Sequence, residues 1–263
     1  MSVVLTRHGA VLKARIDRPR ASNACDSTVL AGLTEWLDQA DAPDVRALVL
    51  TGTGRAFCAG ADLVEASALL GDPAGLRAFL AQGRDLVRRL RTAPVPTVAA
   101  VNGVAFGGGL ELLLASDIAI AGRAARVGDR HIAVGQLPGW GSSAMLPRAV
   151  GPVLARRLLL TGETWTGEQA AGHGLVSEVV DDDRLAGRAL EVAQGLAALA
   201  PVALRRMLDL ARGPADADDD AWAREWEALT VHASAQGSAP AGTLLGALRR
   251  AGSAPSSPST GSE

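Results

Sequence analysis

Two rhythms of apolar residues alternate along this chain. Short unbroken runs mark buried strands, and stripes spaced by three and four residues mark amphipathic helices. Val3 to Thr6 and Ala10 to Ile16 read as short strands parted by the turn at His8-Gly9. Within the second, VLKARI alternates apolar and basic positions, so one face is expected to be buried. Asp17-Arg18-Pro19-Arg20 ends it. Asp26 to Gln39 predicts a helix with Val29, Leu30, Leu33 and Leu37 on one face. Arg46 to Thr51 is a buried strand that runs into Gly52-Thr53-Gly54. Val95 to Val101 is another, β-branched and apolar, with Pro94 and Pro96 at its entrance. After Asn102-Gly103, the glycines Gly107-Gly108-Gly109 open the helix LELLLAS, and Asp117 to Ala121 returns to strand. Strands alternating with helices predict an α/β fold with parallel pairing.

The carboxyl-terminal part is more helical. Pro152 to Leu160 predicts an amphipathic helix closed at Thr161-Gly162. Thr166 to Gln169 has capping-box spacing and opens a helix ending at Gly172 or Gly174. Leu175 to Val180 reads as a strand. Helices follow over Asp183 to Ala200 and Val202 to Arg212, and the acidic stretch Asp216 to Asp220 reads as a solvated helix start. Trp222, Trp226 and Leu229 share helical spacing, as expected of core or a subunit contact. From Ala251 the Ser/Pro/Gly-rich tail is expected to be disordered. The expected organisation is a core over 1–195, a helical and oligomerising region over 196–250, and a tail over 251–263.

Composition adds exclusions. Hydrophobic residues make up 48% and charged residues 21%, enough for a core without disulfides or metal. A net charge of −2 argues against nucleic acid or an anionic membrane as partner. Cys25 and Cys58 have no metal-ligand or framework spacing, and MSVVLTRHGA has no long apolar run. A cytoplasmic enzyme with no metal and no membrane association is therefore expected.

The candidate chemistry starts at the triple glycine. A backbone without Cβ atoms lets a ligand come close, and the first N–H groups of a helix have no internal partner. Such a turn suits an anion, or an oxygen that becomes one during reaction. Glu111 falls in that first turn, where the helix dipole favours a carboxylate. A second small-residue turn, Arg55 to Leu63, follows the carboxyl end of a strand, where open α/β sheets bind ligands.

Taken together, RAFCAGADL and NGVAFGGGLELLLASD resemble the enoyl-CoA hydratase/isomerase (crotonase) family. IDRPRASNA resembles its RP-x-x-x-NA signature, and the likeness continues through VGQLPGWGSSAMLPRAVG and LTGETWTGEQAAGHGLVSEVV. The resemblance implies a crotonase-like spiral of ββα units with a helical carboxyl-terminal region that builds homotrimers, often paired as hexamers. It implies an acyl-CoA thioester as substrate and no cofactor beyond that coenzyme A. Backbone N–H groups of Ala61 and Gly108 would hold the thioester oxygen, and coenzyme A would lie along Ala59, Gly60, Asp62, Leu63 and Val64. Arg20 matches a position that often carries a basic residue near the CoA phosphates. Val64 stands where relatives often have lysine. Glu111 matches the glutamate that activates water, whereas His131 stands where the second catalytic glutamate would be. Gly139 and Trp140 would shape the acyl pocket, with Trp140 narrowing it. Hydration of a 2-enoyl-CoA is the first expectation. Double-bond isomerisation, decarboxylation of an acyl-CoA and non-catalytic acyl-CoA binding are the alternatives.

Two further possibilities carry less. Ser142-Ser143 near His131 could suggest a nucleophile but fits a helix cap better, and no G-x-S-x-G elbow occurs. His8, His173 and His232 are scattered and read as structural.

Overall fold

The computed structural model describes residues 2–213 and 218–236. β1 (Val3–His8) and β2 (Val11–Ile16) form an antiparallel hairpin. α1 (Ser27–Asp38) starts at Asp26, whose carboxylate accepts the Val29 N–H at 2.8 Å. A repeating pattern then begins. β3 (Ala47–Gly52) and β4 (Ala56–Cys58) lead to α2 (Leu63–Ala68) and α3 (Pro73–Arg91). β5 (Thr97–Val101) and β6 (Val104–Phe106) lead to α4 (Gly108–Ala115). β7 (Ile118–Gly122) and β8 (Arg126–Gly128) lead to α5 (Ser142–Thr161). β9 (Trp165–Thr166), α6 (Gly167–Gly172), β10 (Glu178–Val180), α7 (Leu185–Ala197), α8 (Pro201–Arg212) and α9 (Asp219–Gln236) complete the described chain.

In each ββα repeat the first strand joins a six-stranded sheet, ordered β1-β2-β3-β5-β7-β10, and the second joins a smaller sheet, ordered β4-β6-β8-β9. From β2 onward the large sheet is parallel, with Val49 beside Val98 and Ala99 beside Ala119. Its two faces are both covered, which is why its strands read as unbroken apolar runs. Val11, Ala47, Val49, Val98, Ala100 and Ile120 pack under Leu185, Ala189 and Ala193 of α7. The alternate residues Leu12, Leu48, Leu50, Ala99 and Val101 face the main core with α1, α3 and α4. Period-two alternation thus survives inside a fully apolar run.

The structure moves several expected boundaries. The helix expected over Pro152 to Leu160 is the second half of α5, which breaks at Gly151, where φ is +78°, just before Pro152. The strand expected over Leu175 to Val180 shortens to Glu178–Val180, because buried Leu175 and Val176 precede the ladder. Position 195 lies inside α7. The acidic stretch is described only from residue 218; the tail over 251–263 lies outside the described residues. Among the described residues no helix is long and apolar enough to cross a membrane.

Candidate active site

Two backbone turns from successive repeats meet beneath α3 and α9. The first, between β4 and α2, is fixed by a backbone bridge to residue 25. Cys25 N–H donates to Gly60 O at 2.8 Å, and Asp62 N–H donates to Cys25 O at 2.9 Å. Ala59 N–H bonds Ser22 O at 3.1 Å, and Gly60 N–H reaches Cys58 Sγ at 3.3 Å. Ala61 is left as the residue in this turn whose N–H has no partner among the described residues. Gly60 has φ +100°, and a Cβ there would sit 2.9 Å from Gly108 N. Only glycine fits that conformation and that contact.

The second turn opens α4. Gly107 has φ +51°, and its N–H donates to Asp129 O at 2.9 Å. Gly108 is the first residue of α4, so its N–H has no acceptor inside the helix. A Cβ on Gly108 would be 3.2 Å from Gly60 Cα, so the two turns touch. Ala61, Gly108, Glu111, His131, Gln136 and Trp140 all line one narrow cavity of about 60 Å³. Its remaining wall is apolar, with Leu63, Leu76, Leu80, Leu137 and Leu229 among the contributors.

Glu111 is 1% exposed. Its Oε1 accepts the N–H groups of Trp140 at 2.9 Å and Ser142 at 3.0 Å. Burial pushes its carboxyl up to about 8, helped by the charges of Glu225 and Asp129 and opposed by that of His131. His131 packs against the second turn and lines the same cavity. Its Nδ1 is 3.0 Å from Asp129 Oδ1, and its Nε2 would lie 3.3 Å from a Cβ on Gly107. Burial opposes its charge, but the Asp129 carboxylate outweighs that, and with Glu111 and Glu225 raises the imidazole to about 9. Asp129 is itself held below the usual carboxylate range: burial opposes its charge, and the His131 cation and hydrogen bond overcome it. At neutral pH the site therefore places a charged imidazole, able to donate from Nε2, near a carboxyl of high proton affinity. Such a set can hold a developing oxyanion at the free amides and move protons beside it.

Trp140 is fastened on three sides. Its N–H donates to Glu111, its indole Nε1–H donates to Leu80 O at 3.0 Å, and its ring fills the space that a side chain at Gly83 or Gly108 would need. Gly139 and Gly141 are matched to α9 in the same way, against Leu229 and Trp222. Leu229, expected as core or subunit contact, thus also lines the cavity. Trp226 stands beside Arg84, whose guanidinium lies 4.2 Å from its ring centroid.

The expected coenzyme A segment is partly committed to structure. Asp62 caps α2, accepting from Val64 N–H at 2.9 Å, and pairs with Arg18 at 2.8 Å. The Asp62 side chain is thereby engaged within the structure and is not free for a ligand. Val64 is 70% exposed and Leu63 faces the cavity. Arg20 lies exposed on a short 3₁₀ turn, Pro19–Ala21, whereas Arg18 is tied to Asp26, Asp62 and Ala24 O. Ser143 Oγ bonds Glu225, and among the described residues no hydrogen bond joins either serine to His131. Sequence reasoning missed Asp129 and Glu225. Asp129 had a signal in its position two residues before His131. Glu225 had none, being 84 residues from Gly141, to which it bonds.

The spiral of ββα units brings two touching turns and a buried carboxyl to one cavity, and known proteins share this sequence and fold. A model of the enoyl-CoA hydratase/isomerase family matches residues 6–239, and the chain belongs to that family. It is 44% identical over 197 residues to the probable enoyl-CoA hydratase EchA14 of Mycobacterium tuberculosis, covering 74% of this chain and 75% of the relative. It is 36% identical over 209 residues to the (E)-benzylidenesuccinyl-CoA hydratase of Thauera aromatica, covering 78% and 80%. Among solved structures, an enoyl-CoA hydratase from Bacillus anthracis superposes with a TM-score of 0.79 at 30% identity, covering 90% of this chain and 92% of the other.

Proposed function

We propose that the chain is an enoyl-CoA hydratase, adding water across the double bond of a 2-enoyl-CoA thioester. The observation that carries this reading is the convergence of Ala61, Gly108, Glu111 and His131 on one cavity. The thioester oxygen sits between the Ala61 and Gly108 amides. Glu111, in its ionised form, takes a proton from water as the water oxygen bonds to the β-carbon. The electron pair of the double bond moves onto the thioester oxygen, where the two amides stabilise it. Reforming the carbonyl lets the α-carbon take a proton from His131 Nε2. The second carboxylic acid of a standard hydratase must arrive protonated, and an imidazole raised to about 9 meets that requirement. Coenzyme A is proposed to lie along the main chain of 59–64, with Arg20 free to reach its phosphates. The apolar wall around Trp140 takes the acyl chain. No metal or further cofactor enters the scheme. Exposed Leu199, Val202, Met207 and Leu210 on and beside α8 support association of copies, proposed as a trimer.

One observation favours a second reading. A carboxyl that keeps its proton up to about 8 suits carrying a proton from one carbon to another, as double-bond isomerisation requires. One assay separates the readings. Crotonyl-CoA and longer enoyl-CoAs are followed for loss of the conjugated thioester and for deuterium uptake at the α-carbon. Hydration is expected, abolished in Glu111→Gln while CoA-ester binding survives. Exchange without hydration would replace the reading by isomerisation, and binding alone would leave an acyl-CoA-binding protein.

A further inference from the structure

α9 lies more than a hundred residues beyond the glycine turns, yet it sends one carboxylate into the site. Glu225 is 6% exposed and has the same kind of partner as Glu111. Over 140–143 the backbone N–H groups go alternately to the two acids. Trp140 and Ser142 donate to Glu111 Oε1 at 2.9 and 3.0 Å. Gly141 donates to Glu225 Oε1 and Ser143 to Glu225 Oε2, each at 2.6 Å, and the Ser143 hydroxyl also bonds Glu225. One helix start, α5, is thus gripped from two sides by two buried carboxylates. A helix has only a few free N–H groups at its start, and here both acids use them.

The grip is reinforced by packing. Gly141 has φ +114° and carries no side chain because the Trp222 ring of α9 occupies that space, with Cζ3 at 2.9 Å from a Cβ there. Leu229, one turn beyond Glu225, packs on Gly139 and lines the cavity. Neither acid can shift without moving segment 140–143, and that segment holds the other acid.

We propose that Glu225 is a positioning residue for Glu111, fixing segment 140–143 from α9 and adding a second negative charge next to it. The proposal rests on the reading of Glu111 as the base. The charged and titratable groups in reach of the pair are Asp129 and His131 after β8, while α3 presents Arg84 to Trp226, the next residue of α9. Burial raises the proton affinity of Glu225, against its three hydrogen bonds and the His131 cation. A second negative charge makes Glu111 harder to ionise and His131 easier to keep charged.

The test is the pH dependence of kcat/KM for hydration in the wild type, Glu225→Gln and Glu111→Gln. Glu225→Gln keeps the shape but loses the charge and one acceptor. Its acid limb is expected to move to lower pH by roughly one pH unit, with the alkaline limb following in the same direction. A residue that merely braced the helix would lower kcat and leave both limbs in place, and that outcome overturns the proposal. If Glu225→Gln fails to fold by circular dichroism, Ser143→Ala serves instead. It removes one hydrogen bond that favours the charged form of Glu225, so a smaller shift in the same direction is expected, and none would overturn the proposal. An active Glu111→Gln enzyme defeats the base assignment and this proposal with it. An inactive one with unmoved Glu225→Gln limbs defeats this proposal alone.

Discussion

A single methyl group at Gly108 should disable the oxyanion cradle. In Gly108→Ala the added Cβ would lie 2.6 Å from Trp140 Cε3, closer still to Cζ3, and 3.2 Å from Gly60 Cα. The indole cannot retreat. Its Nε1–H is bonded to Leu80 O at 3.0 Å, its backbone N–H to Glu111 at 2.9 Å, and its six-membered ring already fills the space left by Gly83. The strain must fall on the turn that presents the Gly108 amide. Misdirecting one oxyanion donor costs about 10²–10³ in kcat, or roughly 2.7–4 kcal/mol of barrier. KM should change less than kcat, because the donor grips the oxygen more strongly as charge develops in the transition state. The assay is steady-state hydration of crotonyl-CoA, with binding of a saturated acyl-CoA as control. Adding Trp140→Leu to Gly108→Ala should return part of the lost kcat by freeing the space. Wild-type kcat in Gly108→Ala would refute the placement of that amide in the reaction. A loss of kcat that Trp140→Leu deepens would refute the indole as the obstacle.

Three further outcomes follow from the same geometry. Glu111 binds protons more tightly folded than unfolded, so its contribution to stability is full below pH 4.5 and is lost as pH rises through about 8. Glu111→Gln should therefore gain on the wild type between urea titrations at pH 5 and pH 9, with a ceiling of roughly 5 kcal/mol at about 1.36 kcal/mol per pH unit; a constant gap would contradict the burial argument. Asp129→Asn removes the carboxylate that holds the His131 imidazole near 9, so the alkaline limb of kcat/KM should move to lower pH, and an unmoved limb would remove His131 from the proton path. Trp140→Ala should shift preference toward longer or bulkier enoyl-CoAs, and an identical chain-length profile would show that the indole does not bound the acyl chain.

Legibility in the sequence followed the reach of each interaction. The parallel strands were readable because both their faces are buried, which makes runs such as ALVL at 47–50 continuously apolar. The Thr166 capping box was readable because donor and acceptor lie three residues apart. The glycine turns were readable through their chemistry, since backbone that touches backbone admits no Cβ. The small sheet was not, because β4, β6 and β8 are three residues long and β9 only two, too short for a period to register. α3 carries a legible stripe of Leu76, Phe79, Leu86, Val87 and Leu90, which no expectation for 73–91 used. Asn23 is another case. It has φ +57°, and its side chain accepts the Arg18 N–H and donates to Thr53 O and Ala56 O, tying together loops thirty residues apart. The asparagine of the RP-x-x-x-NA signature thus holds the first loop against β4, a role that the motif alone did not reveal. Glu225 was invisible for the same reason: its partners are distant in sequence.

The most direct measurement of the central claim is the stretching frequency of the thioester carbonyl itself. A saturated acyl-CoA carrying ¹³C at that carbon can be bound to the enzyme and read by isotope-edited infrared difference spectroscopy. Two amides converging on the oxygen should weaken the C=O bond, so the band should fall below its position in water and return part of the way in Gly108→Ala, where the Ala61 amide remains. A band at its solution frequency in the wild-type complex would contradict the account.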